Sequence, residues 1–69
     1  MATLTERERE IVDQLAEGRS NAEIAERLTI ARTTVRKHLE NIYAKLGVRT
    51  RTAAVAAARL DVDRPHVRG

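Results

Sequence analysis

Apolar residues recur at helical spacing in four separate stretches of the chain. Ile11, Val12, Leu15 and Ala16 follow the i, i+1, i+4, i+5 pattern of a buried helix face. Ile24, Ala25 and Leu28 make a shorter face of the same kind. Val35, Leu39, Ile42 and Leu46 fall within about 60° of one another at about 100° per residue. The run Ala53 to Ala58, interrupted only by Val55, favours a fourth helix through its low side-chain entropy cost.

The punctuation between these stretches sets their ends. Thr5 and Glu8 form a T-x-x-E capping box, with Leu4 ahead of it as a hydrophobic staple. Gly18 supplies a left-handed terminator. Ser20 and Glu23 repeat the capping box. Thr29-Ile30-Ala31 is a three-residue connection in which Ile30 plugs the gap between the flanking helices. Gly47 ends the third helix and Thr50 caps the fourth. Strand signals are nearly absent. The pattern predicts an all-α domain over residues 1–60, with helices at about 5–17, 21–28, 32–46 and 51–60. Residues 61–69, which lack periodicity and contain Pro65, are expected to form a flexible, disordered tail.

Charge changes this picture from a small helical bundle to one with a polar task. Residues 1–26 carry Glu6, Glu8, Glu10, Asp13, Glu17, Glu23 and Glu26 against Arg7, Arg9 and Arg19, net −4. Residues 27–51 carry Arg27, Arg32, Arg36, Lys37, Lys45, Arg49 and Arg51 against Glu40, net +6. The basic block coincides with the third helix, and Thr33, Arg36, Lys37 and Glu40 project opposite its apolar stripe. A helix with one packing edge and one Arg/Lys/Thr edge suits a DNA major groove. A protein–protein module with an ordinary solvated face is the competing reading of the same charges.

Composition removes several classes. The 69 residues allow one small domain, which has to gain stability from a partner if not from its core. The absence of Cys excludes disulfides and thiolate metal sites, and His38 and His66 have no companion ligands. No metal or cofactor is expected, and no small-molecule ligand. No apolar run approaches the ~20 residues of a membrane span, and no signal peptide is visible, so a cytoplasmic protein or fragment is expected. No nucleophile–base pair, carboxylate pair or phosphate-binding Gly loop supports an enzyme.

The segments LTEREREIV, GRSNAEIAERL, TTVRKHLENIYAKLGV and RTAAV, in this order and spacing, resemble the LuxR-type helix-turn-helix domain, also called the GerE or NarL/FixJ type. The resemblance runs from about Leu4 to Leu60. It implies a four-helix DNA-binding domain of a bacterial transcription regulator, with the second and third helices as the helix-turn-helix. It implies that Thr33, Arg36, Lys37 and Glu40 read bases. Glu40 either accepts from cytosine or only orients Arg36. Asn21, Arg32, Thr34 and Lys45 then contact phosphates. The fourth helix, through Thr52, Ala53, Ala56, Ala57 and Leu60, becomes a homodimer interface on a pseudo-palindromic operator. RNA polymerase is a further expected partner.

Other characteristic positions read as structural. Tyr43 and His38 are expected to pack, and Glu8 to form an intradomain cap or ion pair with Arg51 as its partner. The family often has Ser at the position of Ala31. Ala cannot cap by side chain, at a cost of about 1 kcal/mol unless Thr29 or the backbone geometry substitutes. Region 4 of sigma factors also resembles Leu4 to Leu39, but the KLGVRTRTAAV continuation argues against it.

Overall fold

The structure, a computed structural model, describes residues 3–63. Four helices follow one another: α1 (Glu6–Ala16), α2 (Asn21–Leu28), α3 (Arg32–Leu46) and α4 (Arg51–Asp63). The described residues form no strand. Both capping boxes are present. At α1 the Glu8 N–H donates to Thr5 Oγ1 (3.1 Å) and the Thr5 N–H donates to Glu8 Oε1 (2.9 Å). At α2 the Glu23 N–H donates to Ser20 Oγ (3.2 Å) and the Ser20 N–H donates to Glu23 Oε1 (2.8 Å). The Ser20 N–H bond is the first cause holding the Glu23 carboxyl below its ordinary value. Thr50 caps α4 by accepting from the Ala53 N–H at 3.1 Å.

The ends of α2 and α3 show one geometry made from different residues. Gly47 closes α3 at φ 67°, and the Val48 N–H then reaches Tyr43 O at 3.0 Å. Thr29 closes α2 at φ 59°, and the Ile30 N–H reaches Ala25 O at 2.9 Å. A β-carbon disfavours this left-handed region, so Thr29 is a strained terminator where Gly47 is a relaxed one. Thr29 therefore spends itself on ending α2 and does not cap α3. Ala31 stands at the α3 N-cap with no side-chain bond, and α3 still begins at Arg32.

Packing converges on α3, which touches α1, α2 and α4. Ile11, Ile24, Val35 and Ile42 are fully buried, joined by Val12, Leu15, Ala25, Leu39 and Ala54. Leu4, Ile30 and Tyr43 lie half-buried against this core, as do Val55 and Ala58 of α4. The staple, the plug and the packing role of Tyr43 thus stand as the apolar pattern implied.

One boundary differs. Asp61 to Asp63, expected in the tail, continue α4. No helix breaker precedes Pro65, so the Ala-rich helix has no local reason to stop at Leu60. The rest of the expected tail, 64–69, with His66, lies outside the described residues.

Candidate nucleic-acid interface

The α3 surface opposite Val35, Leu39 and Ile42 is open. Thr33, Arg36, Lys37 and Glu40 are all exposed, and Arg32 and Thr34 beside them are exposed as well. The spacing of four residues places Arg36 and Glu40 on adjacent turns, yet no ion pair joins them. Arg32, Arg36 and Lys37 likewise form no ion pair among the described residues. Three cations and one acid, Glu40, therefore share the open side of α3, and none of the four is ion-paired among the described residues. Their rigid base is the apolar stripe beneath, which fixes the rotation of α3 about its own axis.

Asn21 occupies the first turn of α2, half-buried. Its side-chain oxygen accepts from Arg51 Nη2, while Arg51 Nη1 donates to Arg19 O at 3.2 Å. One guanidinium thus ties the start of α4 to the start of α2. Arg51 was expected to pair with Glu8, and it does not. Glu8 lies near the N-terminal end of α1, whereas the Arg19 carbonyl lies beyond its C-terminal end. The eight helical steps from Glu8 to Ala16 alone separate the two positions by about 12 Å.

Glu8 instead pairs with Lys45 at 2.7 Å. Lys45 Nζ also donates to Thr3 O at 3.3 Å. Burial pushes the Glu8 carboxyl up, but the Lys45 bond and the Thr5 N–H outweigh it and hold the carboxyl below its ordinary value. The clamp fastens the start of α1 to the last turn of α3. Lys45 would have to leave a buried carboxylate to reach a phosphate, so of the four candidate phosphate ligands it is the most committed elsewhere.

Sequence reasoning missed Arg51 as a neighbour of Asn21. Thirty residues separate them, and no local spacing rule links the first residue of α4 to a helix start so far upstream.

On the outer side of α4, Thr52 and Ala56 are exposed, Ala53 and Ala57 half-buried, and Leu60 is 69% exposed, the one large apolar side chain so open among the described residues. No group of three or more potential metal ligands occurs among the described residues. No described helix is long and apolar enough to cross a membrane.

Comparison with known proteins matches residues 2–58 to the family described as bacterial regulatory proteins, luxR family. That match runs past Leu39 and through most of the fourth helix. The chain is 52% identical over 56 residues to a probable transcriptional regulatory protein, SgaR, of Hyphomicrobium methylovorum, covering 81% of this chain and 26% of the relative. It is 47% identical over 53 residues to the nitrate/nitrite response regulator protein NarP of Escherichia coli, covering 77% of this chain and 25% of the relative. The crystal structure of the response regulator ChrA, from a heme-sensing two-component system, superimposes with a TM-score of 0.86 at 47% identity. That alignment covers 90% of this chain and 31% of ChrA. The chain spans about a quarter of the length of the curated relatives it matches. These relatives are transcriptional regulators rather than enzymes. The chain belongs to the LuxR family of bacterial regulatory proteins and has the form of that family's helix-turn-helix DNA-binding domain.

Proposed function

We propose that this domain reads double-stranded DNA by laying α3 in the major groove and binds a two-half-site operator as a homodimer. The observation that carries the reading is the exposed polar face of α3, whose Arg32, Arg36 and Lys37 are free of ion pairs, on the side away from its fully buried Val35 and Ile42. Arg36 and Lys37 donate to guanine O6 and N7, Thr33 meets a base edge or a thymine methyl, and Glu40 accepts from cytosine N4. Arg32 and Thr34 hold phosphates beside the groove, and Asn21 does so at the start of α2, where Arg51 adds positive charge. Lys45 joins them only by leaving Glu8.

Pairing runs through Thr52, Ala53, Ala56, Ala57 and Leu60 of α4. It places two copies of α3 in successive major grooves about one helical turn apart. RNA polymerase is a further partner in this reading, met by surface that DNA and the second copy leave open. The domain then acts in the cytoplasm, where bacterial DNA is.

Selection of bound duplexes from a random library yields the half-site, its spacing and its symmetry. Against the selected duplex, Arg36→Ala is expected to cost about 1–3 kcal/mol of binding and to relax specificity at one base pair. Binding should also fall steeply with salt. A variant that binds selected and random duplexes as the parent does would remove Arg36 from the reading face. Ala56→Glu puts a charge on each side of the α4 pairing and is expected to weaken two-half-site binding while sparing a single half-site. Equal loss on both duplexes would remove α4 as the interface.

A further inference from the structure

A groove of about 440 Å3 runs between the end of α1 and the start of α4. Leu15, Ala16, Val55 and Ala56 give it an apolar lining, and Arg19, Arg51 and Arg59 line it as well. Among the described residues no acidic side chain lines it. The three cations are not equally free. Arg19 pairs with Glu17 at 2.6 Å. Arg51 donates only to neutral acceptors, the Arg19 carbonyl and the Asn21 side-chain oxygen, and its guanidinium has further N–H donors to offer. Arg59 is exposed and makes no ion pair among the described residues. With Glu17 set against Arg19, Arg51 and Arg59 are left as two positive charges without a counter-charge.

The spacing of these two charges defines what complements them. Arg51 and Arg59 are eight residues apart on α4, about 12 Å along its axis and about 80° around it. Between them lie Val55 and Ala56, whose small side chains leave room for an apolar group. A second helix running along α4 repeats the same rise and arc. Carboxylates at its positions i and i+8 then stand about 12 Å apart, with position i+4 midway between them on the same face. An apolar side chain at i+4 meets the apolar lining while the two acids meet the arginines. This is the helix-in-groove mode of recognition, with charge added at both ends. Duplex DNA complements the arginines less well, because its phosphate edge has no apolar group to set against Val55 and Ala56.

We propose that this groove docks an acidic amphipathic helix of a protein partner, with carboxylates on Arg51 and Arg59 and an apolar side chain against Val55 and Ala56. No residue of α3 lines the groove, so the docked helix and the polar face of α3 are separate surfaces. The inference does not rest on α3 reading DNA or on α4 pairing. Thr52 and Ala56 line the groove and also belong to the face proposed for pairing, so a second copy is the nearest rival occupant. Charge complementarity sets the register of the docked helix more than it adds raw affinity.

The probe is a fluorescein-labelled, Ala-rich helical peptide of about 20 residues with Glu at i and i+8 and Leu at i+4. Fluorescence anisotropy with the 69-residue protein at low salt should show saturable binding with a Kd below about 1 mM. Replacing the peptide's Leu by Ala should weaken it about threefold or more. Arg59→Glu should weaken it about tenfold and the milder Arg59→Gln about threefold, with both variants melting near the parent. Arg27→Glu makes the same change of net charge at an exposed position outside the groove and should leave the Kd within about twofold. Of two peptides with one Glu changed to Lys, at i or at i+8, one should bind Arg59→Glu within about threefold of the original pair. Absence of saturable binding, equal loss in Arg27→Glu and Arg59→Glu, or failure of both Lys peptides overturns the proposal. An oligoglutamate that binds as tightly makes the groove a general anion surface and overturns it too. Displacement of the peptide by a random duplex assigns the groove to DNA instead. Peptide affinity that falls as the protein self-associates assigns it to a second copy.

Discussion

An Ile42→Ala variant is expected to lose about half of the domain's stability, about 2–5 kcal/mol. Ile42 is fully exposed to the core and not at all to water, on the helix that every other helix of the domain packs against. Truncating such a side chain costs about 2–5 kcal/mol, the lost transfer energy plus the cavity left behind. A domain of 69 residues has about 3–10 kcal/mol of stability in total. The loss is therefore about half of what the fold holds in reserve. Asn41→Ala, one position away and exposed, should change stability by less than about 0.5 kcal/mol. Urea denaturation followed by far-ultraviolet circular dichroism measures both. If Ile42→Ala costs less than about 1 kcal/mol, the neighbours collapse into the space, and the orientation of α3 does not depend on a filled core beneath it. The functional consequence follows from position. Ile42 belongs to the stripe that fixes the rotation of α3, so a loosened core would also loosen the aim of Arg36 and Lys37.

Lys45→Met is expected to lower stability by about 2 kcal/mol while leaving DNA affinity of the folded protein near the parent's. The Glu8 side chain is 5% exposed and that of Lys45 28%, so the pair is half-sheltered rather than fully buried. Removing the ammonium strands a carboxylate that keeps only the Thr5 N–H, which costs about 1–3 kcal/mol. Methionine retains most of the apolar stem, so the loss reports the charge.

The pH dependence has a definite sign. Glu8 titrates lower in the folded protein than its ordinary 4.5, so its stabilisation is complete above that value and disappears as pH falls through the lowered one. In Lys45→Met the lowering influence of the ammonium is gone and burial pushes the carboxyl up. The stability gap between parent and variant should therefore be constant at neutral pH and close below about pH 4.5. The alternative role for Lys45 predicts the reverse pattern. A phosphate ligand would leave stability unchanged, weaken binding on all sequences and reduce the salt slope by about one ion.

The helix boundaries were legible because they are written in contacts three or four residues long. Thr5 with Glu8, and Ser20 with Glu23, form wherever the chain turns into a helix, and they need nothing from the rest of the molecule. Gly18 and Gly47 act in the same local way, through a backbone region that other residues avoid. The two faces of α3 follow from its periodicity alone, which is why Val35, Leu39 and Ile42 could be placed inside and Arg36 and Lys37 outside. The end of α4 was not legible, since an Ala-rich helix without a glycine or an early proline carries no local stop signal.

Tertiary structure decided which charges meet. The sequence holds one buried-helix carboxylate, Glu8, and several bases at the end of α3 and the start of α4 that might answer it. Lys45 lies 37 residues away and Arg51 43, a difference without meaning along the chain. The packing of α1 across α3 brings the start of one against the end of the other, and so gives Glu8 to Lys45. The same packing sends Arg51 to Asn21 and the Arg19 carbonyl at the opposite end of α1. Local sequence thus determined the four helices, the two capping boxes and the polar face of α3, because those depend on neighbours within a turn. The partners of Glu8, Asn21 and Arg51 depend on how helices are set against one another, and that is a property of the folded chain as a whole.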